Sequence, residues 1–251
     1  MSDPVSDVVD VRGLTIGWGD HVVLEDLTFS VPRGCVFAIL GRSGSGKSTL
    51  LLHLVGLESP MSGTLLVNGR PPRLAARRPA FGVSFQSGAL FGSMTLAENV
   101  ALPLEKWTDL DPDATQAIVA AKLALVGLAG FESSLPSEVS GGMQKRAAVA
   151  RALALDPDLL FFDEPSAGLD PVSSVGIDEL LLTLNRSLGT TIVFVSHELP
   201  SVFKIATSCI LVDRGSRGII ARGDPREILD HGTDPRARAF FRREAEDART
   251  S

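Results

Sequence analysis

The sequence has no tyrosine and only two cysteines and four histidines in 251 residues. Cys35 and Cys209 stand alone in apolar runs that read as buried strands, and none of His21, His53, His197 and His231 lies at zinc-ligand spacing from either. That pattern argues against a structural metal and reads both thiols as reduced core residues, suited to a reducing compartment. Long hydrophobic runs are missing too. The apolar stretches at 50–52, 159–162 and 192–195 fall far short of the roughly 18 residues of a membrane helix. The opening Met1-Ser2-Asp3-Pro4 has neither the basic start nor the apolar stretch of a leader, which predicts a chain that stays where it is made. Nor is there a basic excess. Lys and Arg total 24 against 30 Asp and Glu, a net charge of −6, which argues against nucleic acid as the main partner. What is present is a globular composition, 44% hydrophobic and 22% charged, which excludes wholesale disorder.

The pattern along the chain predicts an α/β fold. Residues 8–11, 14–18 and 22–31 alternate like paired strands, with Gly19-Asp20 as a hairpin turn. Apolar runs at 35–40, 159–162, 191–195 and 208–212 read as buried parallel strands. Ile177, Leu180, Leu181 and Leu184 mark one helix face, and strands alternating with such helices give a parallel sheet. Residues 96–155 are rich in Ala and Leu and poor in strand signals, a block of helices inserted into the sheet. Asp-Pro pairs at Asp111, Asp170, Asp224 and Asp234 predict helix starts, with Asp as the cap and Pro at the first helical position.

Three motifs carry chemistry. Gly41-Arg42-Ser43-Gly44-Ser45-Gly46-Lys47-Ser48 follows an apolar strand and opens a helix at Thr49. In that context it reads as a phosphate-binding loop: backbone N–H groups curl around phosphate oxygens, Lys47 reaches the β- and γ-phosphates, and Ser48 ligates Mg²⁺. Leu159-Leu160-Phe161-Phe162-Asp163-Glu164 delivers two carboxylates to a strand's C-terminal end. Asp163 is the candidate Mg²⁺ ligand and Glu164 the base for the attacking water. The third motif, Ser140-Gly141-Gly142-Met143-Gln144-Lys145-Arg146, opens a helix, where the Ser hydroxyl and the glycine N–H groups make another anion-binding element. A second phosphate site is redundant within one chain and makes sense closing on the nucleotide of a second copy. The competing reading is a simple N-cap with flexible glycines.

The order of these motifs, with Gln86, Ser166-Ala167-Gly168-Leu169-Asp170 and His197, resembles an ABC-transporter ATPase subunit over residues 7–230. That resemblance implies a P-loop NTPase fold: a RecA-like parallel sheet core with an antiparallel β subdomain and an inserted helical subdomain at about 92–156. Residues 1–230 then form the ATPase domain and 231–251 a helical tail. It further implies ATP and Mg²⁺, with Gln86 sensing the γ-phosphate and Mg²⁺ and linking to the membrane partner, and His197 contacting the γ-phosphate. Ser140, Gly141, Gly142 and Asp170 serve the nucleotide of a homodimeric partner. The adenine platform, commonly tyrosine in the family, falls to Trp18 in Gly17-Trp18-Gly19-Asp20. A core Trp18 and a merely exposed His197 are the alternatives.

Phe85-Gln86-Ser87-Gly88-Ala89-Leu90-Phe91, the Ser-Gly-Gly-Met143 variant of the signature and the ending Asp234–Phe240 are similar to one branch, the ATPases of Mla/Mce-type lipid transport systems. The branch implies a motor that moves phospholipids or other lipids between envelope membranes. Its implied partners are a transmembrane permease, a lipid-binding envelope subunit and an accessory cytoplasmic protein, and its implied place is the cytoplasmic face of the inner membrane. An importer for a polar solute and a soluble ABC ATPase are the alternatives. Ala89, Leu90 and Phe91 read either as a patch for a permease helix or as core. Ala237, Phe240 and Phe241 share one helical face, which docks on the same subunit or on its neighbour.

Overall fold

The computed structural model describes residues 7–72 and 78–250, the last eight as backbone. The polar start Met1–Pro4 lies outside the described residues. Two sheets organise the chain. Strands β1 (Asp7–Trp18), β2 (His21–Pro32) and β4 (Ser62–Val67) form an antiparallel sheet in the order β2-β1-β4. The second sheet joins β3 (Val36–Leu40), β5 (Gly82–Ser84), β6 (Leu159–Asp163), β7 (Thr191–Ser196), β8 (Ser208–Asp213) and β9 (Gly218–Gly223) in the order β5-β6-β7-β3-β8-β9. Its first five strands in that order run parallel, and β9 pairs antiparallel with β8.

Both faces of the six-stranded sheet are covered, which explains the uninterrupted apolar runs. Successive side chains of a strand point to opposite faces, and the core divides accordingly. Phe37, Ile39, Phe161, Val193 and Val195 pack with the antiparallel sheet and with α1 (Lys47–Leu54). Ala38, Leu40, Phe162, Ile192 and Phe194 face the helices on the other side. These are α2 (Leu96–Trp107), α3 (Pro112–Leu125), α4 (Gly141–Ala152), α5 (Pro171–Leu188), α6 (Leu199–Ile205), α7 (Pro225–His231) and α8 (Pro235–Thr250). The block at 96–155 holds α2, α3 and α4, as the Ala- and Leu-rich composition predicts. Among the described residues no helix is long and apolar enough to cross a membrane.

The Asp-Pro pairs all start helices. Asp111, Asp170, Asp224 and Asp234 each accept a backbone N–H from the first turn of α3, α5, α7 and α8 in turn. An oxygen acceptor satisfies an otherwise orphaned amide, and proline at the next position brings none.

Some details differ from the sequence reading. The two segments 8–11 and 14–18 are a single strand, β1, whose register shifts between Val11 and Leu14, with Gly13 at φ 55°. An irregularity of this kind bends a strand without ending it. Cys35 lies just outside β3 and is half-buried, because pairing begins at Val36, whereas Cys209 is fully buried within β8. The strands β4, β5 and β9 carry at most three apolar residues in a row: β5 has three residues in all, and β9 is half-exposed along most of its length.

The C-terminal segment packs on its own chain. Ala237, Phe240 and Phe241 join the helical core, and Phe241 touches Phe203 of α6 with ring centroids 5.8 Å apart. The apolar face of the tail is therefore occupied within the subunit, which settles the first turns of α8 in favour of intramolecular docking.

Candidate functional site

The strands β5, β6, β7 and β3 are neighbours and parallel, so the loops leaving their C-terminal ends open side by side. Those loops carry Gln86, the pair Asp163–Glu164, His197 and the loop 41–49. Four separate stretches of sequence thus meet at one edge, the usual place for a site in an open parallel sheet.

The phosphate-loop motif turns between β3 and α1. Gly44 and Gly46 take φ of 73° and 98°, left-handed values that suit glycine. A Cβ on Gly46 would also stand 2.8 Å from Val23 Cγ1. Arg42, Ser43 and Gly44 are exposed, while Gly41, Ser45 and Lys47 are buried. Lys47 Nζ reaches across the loop and donates to the carbonyl oxygens of Gly41 (2.9 Å) and Arg42 (3.2 Å). Ser48, one residue on, donates its hydroxyl to Asp163 Oδ1 at 3.2 Å. Burial pushes the Asp163 carboxyl above its ordinary range, the Ser48 hydrogen bond opposes this, and the nearby Glu164 charge adds to it. Two hard oxygen ligands converge where extra positive charge is favoured, which fits Mg²⁺. That ion typically takes one or two carboxylates and completes its shell with phosphate oxygens and water.

Glu164 is the hub. Its Oε1 accepts from His197 Nδ1 at 2.9 Å and its Oε2 from Gln86 Nε2 at 3.3 Å. Its backbone holds φ 48°, rare for a non-glycine residue, with its N–H donated to Val195 O at 3.0 Å. The Glu164 side chain is largely buried and His197 is half-exposed. His197 is thus exposed, and its ring is also hydrogen-bonded to the candidate base.

Trp18 is 45% exposed and lies edge-on to His53, with centroids 6.4 Å apart. A core role for Trp18 is excluded. It borders a cleft of about 580 Å³ shared with Gly44, Gly46, Thr49, Arg214 and Arg217. The two arginines come from the turn between β8 and β9 and belong to none of the sequence motifs. Only the pairing of β8 beside β3 brings them to the loop.

Ser140 caps α4, accepting from Met143 N at 3.3 Å. A Cβ built on Gly142 would lie 3.2 Å from Ser173 Oγ, and one on Gly141 would lie 3.7 Å from Leu169. The Ser-Gly-Gly turn thus sits against the segment containing Asp170. Further along α4, Lys145 Nζ donates to the backbone carbonyls of Gln86 (2.5 Å) and Glu164 (3.2 Å), and burial lowers its pKa. Lys145 lies within the Ser140–Arg146 motif, but the sequence assigns it no role, since it is outside the Ser-Gly-Gly tripeptide that binds the anion.

After Gln86 the loop is clamped from below. Arg151 donates to Gly88 O at 2.7 Å and Ala89 O at 2.8 Å, and the buried Asn99 side chain binds both backbone groups of Phe91. Leu90 packs on the core, but Phe91 is 57% exposed. It borders an apolar groove of about 410 Å³ formed with Phe81, Val83, Leu102, Trp107 and Leu155.

Comparison with known proteins supplies the family. Residues 24–167 match the ABC transporter family. The chain is 41% identical over 248 residues to the intermembrane phospholipid transport system ATP-binding protein MlaF of Escherichia coli, covering 96% of this chain and 91% of that one. It is 40% identical over 244 residues to the probable ribonucleotide transport ATP-binding protein mkl of Mycobacterium tuberculosis, covering 95% and 67%. Among solved structures, the dimeric cassette MJ0796 bound to ADP and Pi superposes with a TM-score of 0.76 at 27% identity, covering 86% of this chain and 98% of that one. CbiO1 of Clostridium perfringens, part of the ABC transporter complex cbiONQ, gives 0.80 at 28%, covering 90% and 91%. The fold, the meeting of motifs at one sheet edge and these relatives lead to one conclusion: the chain belongs to the ABC transporter family, as an ATP-binding and ATP-hydrolysing subunit.

Proposed function

We propose that this subunit powers a lipid transporter, acting as a homodimer whose two ATP molecules lie between head-to-tail copies. In each site the phosphates rest on the loop 41–49 of one subunit, with Lys47 at the β- and γ-phosphates and the adenine on Trp18. Ser140, Gly141, Gly142 and Asp170 of the other copy complete the site. Glu164 takes the proton of the water that attacks the γ-phosphorus, Gln86 and His197 hold its carboxylate in place, and His197 reaches the γ-phosphate. Ser48, Asp163 and Gln86 would hold Mg²⁺, which when bound supplies charge neutralisation at the phosphates. The observation that carries this reading is the Glu164 carboxylate held at both oxygens, by His197 and Gln86, beside the Ser48–Asp163 pair.

The groove under Phe91 is suited to a helix of a membrane permease. It lies on the same loop as Gln86, so force from closure can pass to the membrane partner. In this reading the chain works at the cytoplasmic face of the inner membrane, with a lipid-binding envelope subunit and an accessory cytoplasmic protein in the assembly. The lipid cargo rests on the Phe85–Phe91 string, the Met143 signature variant and the relative named for phospholipid transport. The mycobacterial relative's name favours a polar cargo as the second reading.

Affinity purification from native membranes with an N-terminal tag, followed by mass spectrometry of proteins and lipids, separates the two. A permease with a lipid-binding subunit and bound phospholipid is the expected result. A permease with a small-solute binding protein refutes the lipid cargo, and recovery without any permease refutes transport itself.

A further inference from the structure

We infer that Lys145 is a positioning residue for ATP hydrolysis, tying the helix that starts at Ser140 to the backbone of both Gln86 and Glu164. The argument begins with what these two residues need. Their side chains meet at 3.3 Å, so a small shift of either backbone breaks the contact. Glu164 holds a left-handed φ of 48°, a conformation that persists only when its surroundings enforce it. Its N–H is fixed by Val195 O. Its carbonyl is fixed by the Lys145 ammonium, which reaches the Gln86 carbonyl as well. A single cation with three donors therefore staples the two loops that leave β5 and β6.

Lysine has a second effect here. Burial lowers the pKa of its ammonium, and the negative charges of Glu164, Asp163 and Glu198 oppose this, so the cation in turn offsets their mutual repulsion while its hydrogen bonds go to backbone carbonyls. A neutral side chain of similar length fills the space without doing either. The position on α4 adds a mechanical consequence. Lys145 lies five residues beyond the capping Ser140, about 7.5 Å along a rigid helix. Any displacement of the Ser140–Gly142 turn by an anion from the facing subunit is carried by the helix to both carbonyls. Lys145 thereby links occupancy of the opposite site to the geometry of the base in its own subunit.

The inference rests on the catalytic role proposed for Glu164 and Gln86, and the test separates the two. The full-length chain is compared as wild type, Lys145→Met, Lys145→Arg and Glu164→Gln. Readouts are kcat at saturating MgATP, affinity for a fluorescent ATP analogue, and thermal unfolding. Lys145→Met is expected to lower kcat about tenfold or more, the weight of a hydrogen bond to a charged group. Analogue affinity is expected to stay within about twofold of wild type, because the Lys145 ammonium donates to the carbonyls of Gln86 and Glu164, which lie outside the phosphate loop. Lys145→Arg, which keeps the charge and the donors, is expected to recover most of the rate. Wild-type kcat in Lys145→Met alongside an inactive Glu164→Gln overturns this inference alone. An active Glu164→Gln overturns the catalytic assignment beneath it. A loss of rate in Lys145→Met that Lys145→Arg does not restore, or that follows a fall in thermal stability, reduces Lys145 to a structural residue and also overturns the inference. If Lys145→Met does not fold, Lys145→Leu, which also lacks a donor, takes its place with the same expected split.

Discussion

Replacing Phe241 with alanine tests where the C-terminal helix belongs. Phe241 is fully buried within the single chain and packs against Phe203 and Phe240, with ring centroids 5.8 and 5.4 Å away. An aromatic side chain of this kind buries about 150–250 Å², worth about 4–6 kcal/mol at 25 cal/mol per Å². Truncating a buried phenylalanine costs about 3–5 kcal/mol. Because the ring joins the same core cluster as α5 and α6, the loss is expected to reach global stability. For a domain of this size 1 kcal/mol moves the midpoint by about 2–4 °C, so Phe241→Ala should lower Tm by about 6–20 °C. Thermal unfolding is followed at a concentration low enough to keep the nucleotide-free chain monomeric. An unchanged monomer Tm combined with weakened dimerisation would refute the intramolecular packing and assign Phe241 to the neighbouring subunit.

Glu164→Gln should reduce turnover by roughly 10²–10⁴ with ATP binding intact, measured by steady-state hydrolysis and equilibrium binding; near-normal turnover removes Glu164 from the role of base. Trp18→Ala should weaken ATP binding by about 5- to 150-fold, the weight of one stacked base, and unchanged affinity would move the adenine elsewhere. Asp163 has a folded pKa raised by burial, so the folded state takes up its proton more readily than the unfolded chain and its ionisation costs stability above that pKa. Asp163→Asn should therefore raise the Tm of the nucleotide-free chain at neutral pH, with the gain fading as pH falls through the raised pKa; a pH-independent gain contradicts this. Burial pushes the thiols of Cys35 to about 11 and Cys209 to about 12. Both should resist a thiolate-directed reagent at pH 8 until the chain is unfolded, and rapid labelling of native Cys209 would contradict its burial.

What the sequence determines alone is local. The turn 41–48 is set by glycines that permit left-handed backbone and by the strand and helix on either side, all within one contiguous stretch. The Asp-Pro helix starts are equally local, because cap and first turn are neighbours in the chain. The buried strands are legible because both faces of the sheet are covered, so their interior positions are apolar without interruption. The β4, β5 and β9 strands were not legible, since short or half-exposed strands carry no such run.

Everything that joins distant segments was left to the tertiary structure. Glu164 could be recognised as an acid after a strand, but its partners Gln86 and His197 lie 78 and 33 residues away. They meet because β5, β6 and β7 are adjacent and parallel. Arg214 and Arg217 belong to no contiguous signal, and strand pairing alone carries them to the site; Lys145 lies inside the Ser140–Arg146 motif, but only helix packing decides which carbonyls it reaches. Phe91 and Phe241 show the same limit in its simplest form. Both are phenylalanines next to an apolar neighbour in the sequence, Leu90 and Phe240, yet one is held outward by Arg151 and Asn99 while the other is sealed into the core. Hydrophobicity states that a side chain gains by burial, but the surface available to bury it exists only once the rest of the chain has folded.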